Sequence, residues 1–312
     1  MFTSIQKVNG QLYSIPSGWI NFNGEQILCE NCDTTFSSDS NIAIYKKKNK
    51  FSFISLKDSS TVAPSFDYLT NFNEGVAMAR INNKWFVIDS TGKKSKEVKC
   101  HYGYAFSNGL ARIQLGNRFG YINKIGEVVI AIKYFGAYDF NENLARVFHK
   151  DKWGFINLKG EMTITNLYDY AWNFSEGTAA VMKKKGREEE WGFIDISGKT
   201  IIPLKYGYVF PFSDNIAIVK KEAYPKPGMK AIDKLDATLF ELKYKDVFPF
   251  SEGLSCVLSN SNNLWGFINP KNELIIDFQF DEPAKFVNGL ALVLKNNVKM
   301  YIDKTGKIVW KE

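Results

Sequence analysis

A column of isoleucines constrains this chain more than any other feature. Ile20, Ile54, Ile88, Ile122, Ile156, Ile194, Ile232, Ile268 and Ile302 recur every 34 to 38 residues. Three residues before each stands Ser17, Phe51, Trp85, Phe119, Trp153, Trp191, Met229, Trp265 or Lys299. One residue after each stands Asn21, Ser55, Asp89, Asn123, Asn157, Asp195, Asp233, Asn269 or Asp303. Three further on comes Gly24, Asp58, Gly92, Gly126, Gly160, Gly198, Asp236, Asn272 or Gly306. Self-similarity at such a period means one supersecondary unit copied along the chain, each copy burying its apolar face against the next.

A second column sets the frame. Asn41, Gly75, Gly109, Asn143, Gly177, Asn215, Gly253 and Gly289 each lie 24 positions after a member of the Trp column. From each of them to its own Trp-column residue is 10 positions in five repeats, and 14, 14 and 12 in those starting at Gly177, Asn215 and Gly253. All length variation therefore falls in one connection.

Local chemistry gives these columns a shape. Asx at the first position and Gly at the fourth mark a type I turn closing a short hairpin, with Gly supplying the left-handed residue of a bulge. Asn and Asp tolerate that conformation next best, and Asp58, Asp236 and Asn272 are the non-Gly members of the column. Gly92, Gly126, Gly160, Gly198 and Gly306 are thus structural turn residues. The hairpins fall near 17–28, 51–62, 85–96, 119–130, 153–164, 191–202, 229–240, 265–276 and 299–310. Upstream, Tyr168, Tyr170, Trp172 and Phe174 alternate, as a half-buried strand does. Pro203 separates "TII" from the next aromatic run, so those two can form one bent strand.

The spacing predicts an all-β chain: a tandem array of eight to nine antiparallel meanders of 34–38 residues, in a single domain over 1–312. An open solenoid or superhelical array is preferred, because neither terminus supplies a half that the other lacks. A closed eight- or nine-bladed propeller is the alternative.

At this point the chain resembles the bacterial WG-repeat family, also called KWG repeats. The residues that carry the resemblance are Lys84-Trp85, Lys152-Trp153-Gly154-Phe155-Ile156-Asn157, Trp191-Gly192-Phe193-Ile194-Asp195 and Trp265-Gly266-Phe267-Ile268-Asn269, with "FSEG" at Phe174 and Phe250. The copies at 17, 51, 229 and 299 depart from Trp-Gly. The resemblance implies a repeated β structure and supplies no catalytic residues.

The remaining features narrow the function. Hydrophobic residues at 45% support a sizeable core. No apolar run is long enough to span a membrane, and no leader is visible, so the expectation is cytoplasmic, or exported if a leader was removed. The formal charge of +7 comes from scattered Lys and does not call for nucleic acid. Two His leave little for a Ser-His-Asp or Cys-His site. No cofactor or metal site is expected: Cys29 and Cys32 form half of a zinc motif without a second half. Cys32 and Cys100 fall in the aromatic column and read as core; Cys29 falls where other repeats carry Glu97, Thr165 and Glu241, at the surface. The Asx column and the acidic row Glu74, Glu142, Glu176, Asp214 and Glu252 read as turn chemistry. The runs at Lys46–Lys48, Lys183–Lys185 and Lys220–Lys221 read as solvated strand edges.

The expected function is a non-enzymatic scaffold that binds another protein through one extended, loop-rich face. The three lengthened loops, Lys183–Glu190, Lys220–Gly228 and Ser259–Leu264, belong to consecutive repeats and supply the candidate contacts Lys184, Lys185, Arg187, Tyr224, Lys226 and Asn262. The alternative is a module that recognises a cell-wall glycan or another anionic or carbohydrate surface through aromatics and Lys.

Overall fold

The computed structural model describes residues 12–29, 32–36, 42–56, 60–221 and 228–312. All regular structure among them is β-strand, in nine antiparallel sheets each built from strands consecutive in sequence. We number the sheets 1 to 9 along the chain: 13–28, 34–66, 68–89, 102–134, 136–168, 170–206, 208–242, 246–280 and 290–311. Six have four strands; sheets 1, 3 and 9 have three. The chain divides into two compact units, 1–148 with 157–161 and 149–156 with 162–312. Sheets 1 to 4 lie in the first, sheets 6 to 9 in the second, and the boundary passes through sheet 5.

Sheet 6 shows the plan. Its strands are Tyr170–Ala171, Thr178–Lys185, Glu188–Asp195 and Thr200–Tyr206. The third strand carries Trp191-Gly192-Phe193-Ile194 and ends in the expected turn. Asp195 Oδ1 accepts the amides of Ser197 (2.9 Å) and Lys199 (3.0 Å), and Gly198 has φ 85°. The same left-handed residue recurs at Gly92, Gly126, Gly160 and Gly306, and at Asp236 and Asn272. Asp58 lies outside the described residues.

The fourth strand runs through Pro203 as one strand, but not as a regular one. Trp191 pairs with Tyr206 and Phe193 with Ile202, so three residues on one side face one on the other. The extra backbone arches over Gly192, where a Cβ would sit 2.5 Å from the Ile202 carbonyl oxygen. Gly120, Gly154 and Gly266 meet the same crossing at 2.6, 2.6 and 2.7 Å. The glycine of Trp-Gly is thus the seat of a bulge in the neighbouring strand, a place where a close backbone approach leaves room for little or no side chain; sheet 2 has the same bulge opposite the small Ser52, whose hydroxyl donates to the Val62 carbonyl.

Sheets cohere through the next residue of the motif. Phe193 meets Phe212 of sheet 7 with ring centroids 4.8 Å apart, Phe155 meets Phe174 at 4.8 Å, and Phe267 meets Phe286 at 5.0 Å. In the first unit Phe53 meets Phe72 at 4.6 Å and Tyr121 meets Phe140 at 4.9 Å. Each pair joins the third strand of one sheet to the first connection of the next. Tilted and edge-on rings at this distance are the favoured aromatic geometries.

Two expectations are corrected. The run from Tyr168 to Phe174 is not one strand. Tyr168 ends sheet 5 and Tyr170 begins sheet 6, with the chain stepping across at Asp169. Asp169 accepts Lys152 Nζ of sheet 5 (2.5 Å) and the Lys184 amide of sheet 6 (2.9 Å). This one-residue hand-over also revises the preference for an open array. Small sheets of consecutive strands, the last strand leading directly into the next sheet at 67, 135, 169 and 207, are the make-up of the propeller alternative.

Cys29 is the other surprise. It is buried, not at the surface, and is bridged to Cys32 with the Cα atoms 5.7 Å apart. Its amide is held by the Ser17 carbonyl at 2.9 Å, which draws the side chain inward. Cys100 and Cys256 are free, and burial pushes both thiols up to about 12.

Candidate functional site

Sheets 2 to 8 each have two unlike ends. At one end lie the turn after the first strand and the Asx turn. At the other lie the connection between the second and third strands and the step into the next sheet.

The first end is locked. Glu176 sits at φ 54° in the turn of sheet 6, and its Oε2 accepts the Asn215 amide of sheet 7 at 2.9 Å. Asp214 does the same for Gly253 at 2.6 Å, and Glu252 for Gly289 at 2.8 Å. In the first unit Glu74 takes the Gly109 amide at 3.0 Å. A lysine of the receiving repeat completes the clasp: Lys124 on Glu74 at 2.9 Å, Lys234 on Glu176 at 3.7 Å, Lys304 on Glu252 at 3.3 Å. At Glu74, Glu176, Asp214 and Glu252 the acidic row is therefore more than local turn chemistry; it ties one repeat to the next.

Three of the Asx aspartates, Asp89, Asp195 and Asp303, are held below the usual carboxylate range. The Ser197 hydroxyl donates to Asp195 at 2.6 Å and, with the Lys199 and Ser197 amides, outweighs burial to keep that carboxyl below the usual range. A carboxylate committed in this way has no proton to give. Among the described residues no group of three His, Cys, Asp or Glu side chains is placed to hold a metal.

The second end is variable. In sheet 6 the added residues lengthen the hairpin, pairing Lys183 with Glu190, Lys184 with Glu189 and Lys185 with Glu188. Gly186 (φ 66°) and Arg187 form its tip. Lys184, Lys185 and Arg187 are exposed, and Lys185 Nζ lies 3.4 Å from Glu190. In sheet 8 the turn is closed by its own side chains: Asn262 Oδ1 accepts the Leu264 amide at 3.1 Å, and Lys245 Nζ reaches Asn263 at 2.6 Å. Tyr224 and Lys226 lie outside the described residues.

Two features escaped the sequence reading. Lys220 is not a solvated edge: only 4% of it is exposed. It lines a cleft of about 410 Å³ with Tyr208, Phe210, Met229, Asp246 and Phe248. Burial lowers its pKa against the pull of Asp246. Its place five residues after Asn215, on the side of the strand facing Tyr208, was the available signal. The first unit has a larger cleft, of about 650 Å³, lined by residues of sheets 2 to 4 and by Asp139 of sheet 5. The aromatic ladder is mixed in exposure. Trp153, Tyr170, Trp191 and Tyr208 form a chain of contacts between 5.7 and 6.3 Å, of which Trp191 alone is buried.

Seven consecutive segments match the model of a WG-containing repeat: 53–85, 85–119, 119–153, 153–186, 191–223, 231–262 and 265–298. No curated protein sequence matches the chain. Among solved structures, a eukaryotic initiation factor shares the fold with a TM-score of 0.65 at 10% identity, over 97% of this chain and 96% of that one. Hsv2 of Kluyveromyces marxianus is similar at a TM-score of 0.40 and 8% identity, over 87% and 95%. The extracellular domain of BT4673 from B. thetaiotaomicron aligns at 0.36 and 12%, over 100% of this chain and 60% of that one.

Proposed function

The chain belongs to the family of WG-containing repeats, and we propose that it is a non-enzymatic interaction module that binds another protein. One observation carries this reading: the contrast between the two ends of the sheets. The clasped end repeats at four joints with a carboxylate and at a fifth with the Asn108 amide oxygen, which accepts the Asn143 amide. The other end concentrates every insertion into sheets 6, 7 and 8. In repeat proteins, insertions on one face often mark the binding face. The exposed hairpin tip around Arg187, with alternating Lys and Glu, offers a partner both signs of charge at a defined spacing. Complementary charge at a rim sets specificity and association rate more than affinity.

The same proposal includes a closed ring of blades in place of an open array. The one-residue hand-over at 67, 135, 169 and 207 supports it, because small sheets joined so closely stack side by side and leave only short edges.

The test shortens all three loops to the 10-residue spacing of the other repeats. Pull-down with the full chain from its native host should enrich a partner that the shortened protein loses while it melts normally. Equal capture by a normally melting shortened protein would overturn the reading.

A further inference from the structure

We propose that the cleft of the first unit binds a sugar carrying a carboxylate, as part of an acidic glycan. The cleft, of about 650 Å³, falls in the size range of small-ligand sites, about 300–1,000 Å³. Its composition fits that use: an aromatic floor and rim with few polar groups. Trp85 is the buried floor, its Nε1 donating to the His101 carbonyl at 3.0 Å. Tyr68 packs on it at 5.7 Å and on Phe51 at 5.9 Å, so its ring is fixed before any ligand arrives. Tyr68 and Tyr102 remain 44% and 56% exposed. Fixed, half-exposed rings suit the apolar C–H face of a sugar, which stacks on them without ordering new side chains.

The charge balance selects the anion. Arg80 and Asp139 are the charged residues of the lining. Asp139 is paired with Arg112 at 3.0 Å. Arg80 lies over the Trp85 ring at 5.9 Å, and its Nε is buried with no acceptor. Asp67 feels its charge but is itself paired with Lys50. The charge of the lining that has no partner within it is thus the Arg80 guanidinium, and a carboxylate is the partner that such a planar fork takes. The exposed amide of Asn71 and the second oxygen of Asp139 supply planar donors and acceptors for neighbouring hydroxyls.

An acidic peptide fits less well. A peptide added to a sheet edge needs a run of free backbone groups. The first strand of sheet 3 has two residues, Tyr68–Leu69, and the pairing of sheet 4 breaks after Gly103. The cleft offers side chains in place of a backbone rail.

The full chain should be titrated with galacturonate, alginate and hyaluronate oligosaccharides, with methyl-esterified galacturonate as neutral control and poly-glutamate as acidic peptide. Calorimetry should show at least one uronate binding in the millimolar range or tighter, and the ester about tenfold weaker or worse. Arg80→Gln and Tyr102→Ala, both folded by circular dichroism, should each lose about tenfold or more. The loop-shortened protein should bind the uronate as well as the full chain, which separates this site from the proposed protein-binding end. No binding by any uronate at millimolar concentration would overturn the proposal. So would binding that neither substitution alters, or poly-glutamate binding with equal affinity and equal dependence on Arg80.

Discussion

Sheets 6 and 7 are neighbours in sequence and differ at one telling position. After the Trp-column residue, sheet 6 has Gly192 and sheet 7 has Lys230. In sheet 6 the fourth strand bulges, with Trp191 opposite Tyr206 and Phe193 opposite Ile202. In sheet 7 the ladder runs without a break from Met229–Leu242 through Lys230–Glu241 to Ala231–Phe240. Sheet 9, with Met300 at this position, is regular in the same way over Met300–Lys311 and Tyr301–Trp310. Gly120, Gly154 and Gly266 accompany the bulge in sheets 4, 5 and 8. The residue at this position therefore answers the neighbouring strand, and sheet 2 keeps the bulge with the small Ser52 in the glycine's place. In sheet 7, where the bulge is absent, Lys230 uses its side chain to reach Thr238 at 2.9 Å.

The sharpest way to break this comparison is to exchange the two positions. Gly192→Val would place a Cβ against the Ile202 carbonyl. A backbone atom yields little, so the expected loss is about 3–4 kcal/mol, at the upper end for single substitutions. Lys230→Val meets no such crossing and should stay within about 1 kcal/mol of the parent. Urea titration of both variants measures the difference. Equal losses would show that the bulge does not depend on the glycine.

How much of this was legible beforehand follows from how local each cause is. The Asx–Gly turn lies within four residues, so Asn157, Asp195 and Gly198 announced it by type and spacing alone. The all-β repeat was equally readable from its columns. The Trp-Gly glycine was visible as a pattern but not as a cause, because the strand that crosses it lies some ten residues later. The run Tyr168–Phe174 alternates perfectly, yet no alternation reports that Asp169 passes between two sheets. Lys220 and Cys29 misled for a related reason: residue type suggested water, and the packing of the neighbouring sheet decided otherwise. The cleft around Arg80 and Tyr102 draws on four sheets, and no single repeat encodes it.

A smaller effect is expected at the turn glycines, which sheets 6 and 7 also fill differently. Gly198 has φ 85°, and a Cβ there would meet Ile164 of sheet 5 at 3.3 Å. Sheet 7 keeps Asp236 in the same conformation, φ 67°. Asp tolerates it; a β-branched residue does not. Gly198→Val should cost about 2 kcal/mol, and Gly198→Asp clearly less. A similar loss from both substitutions in denaturant titration would mean that the Ile164 contact, and not the left-handed backbone, sets the cost.

The smallest expected effect lies at the joints. Asp169 joins sheets 5 and 6, whereas Gly207 holds the matching place between sheets 6 and 7. Both donate their amide to the second strand, Asp169 to Met182 and Gly207 to Lys220, each at 2.9 Å. Asp169 adds a carboxylate. The bond from Lys152, then the Lys184 amide, outweigh burial and hold it below the usual range. A carboxyl whose folded pKa lies below its unfolded value binds protons less readily when folded. Its contribution is complete above the ordinary carboxylate pKa of about 3.9 and fades as pH falls through the lower folded value. The pair is partly solvated, so that contribution is at most about 1 kcal/mol. Asp169→Asn should therefore destabilise slightly at about pH 6, and the gap to the parent should close as the pH is lowered past about 4. Thermal melts of both proteins at several pH values read that gap directly. A gap that stays constant down to about pH 3 would mean that the joint depends on the amide bond it shares with Gly207 and not on the charge.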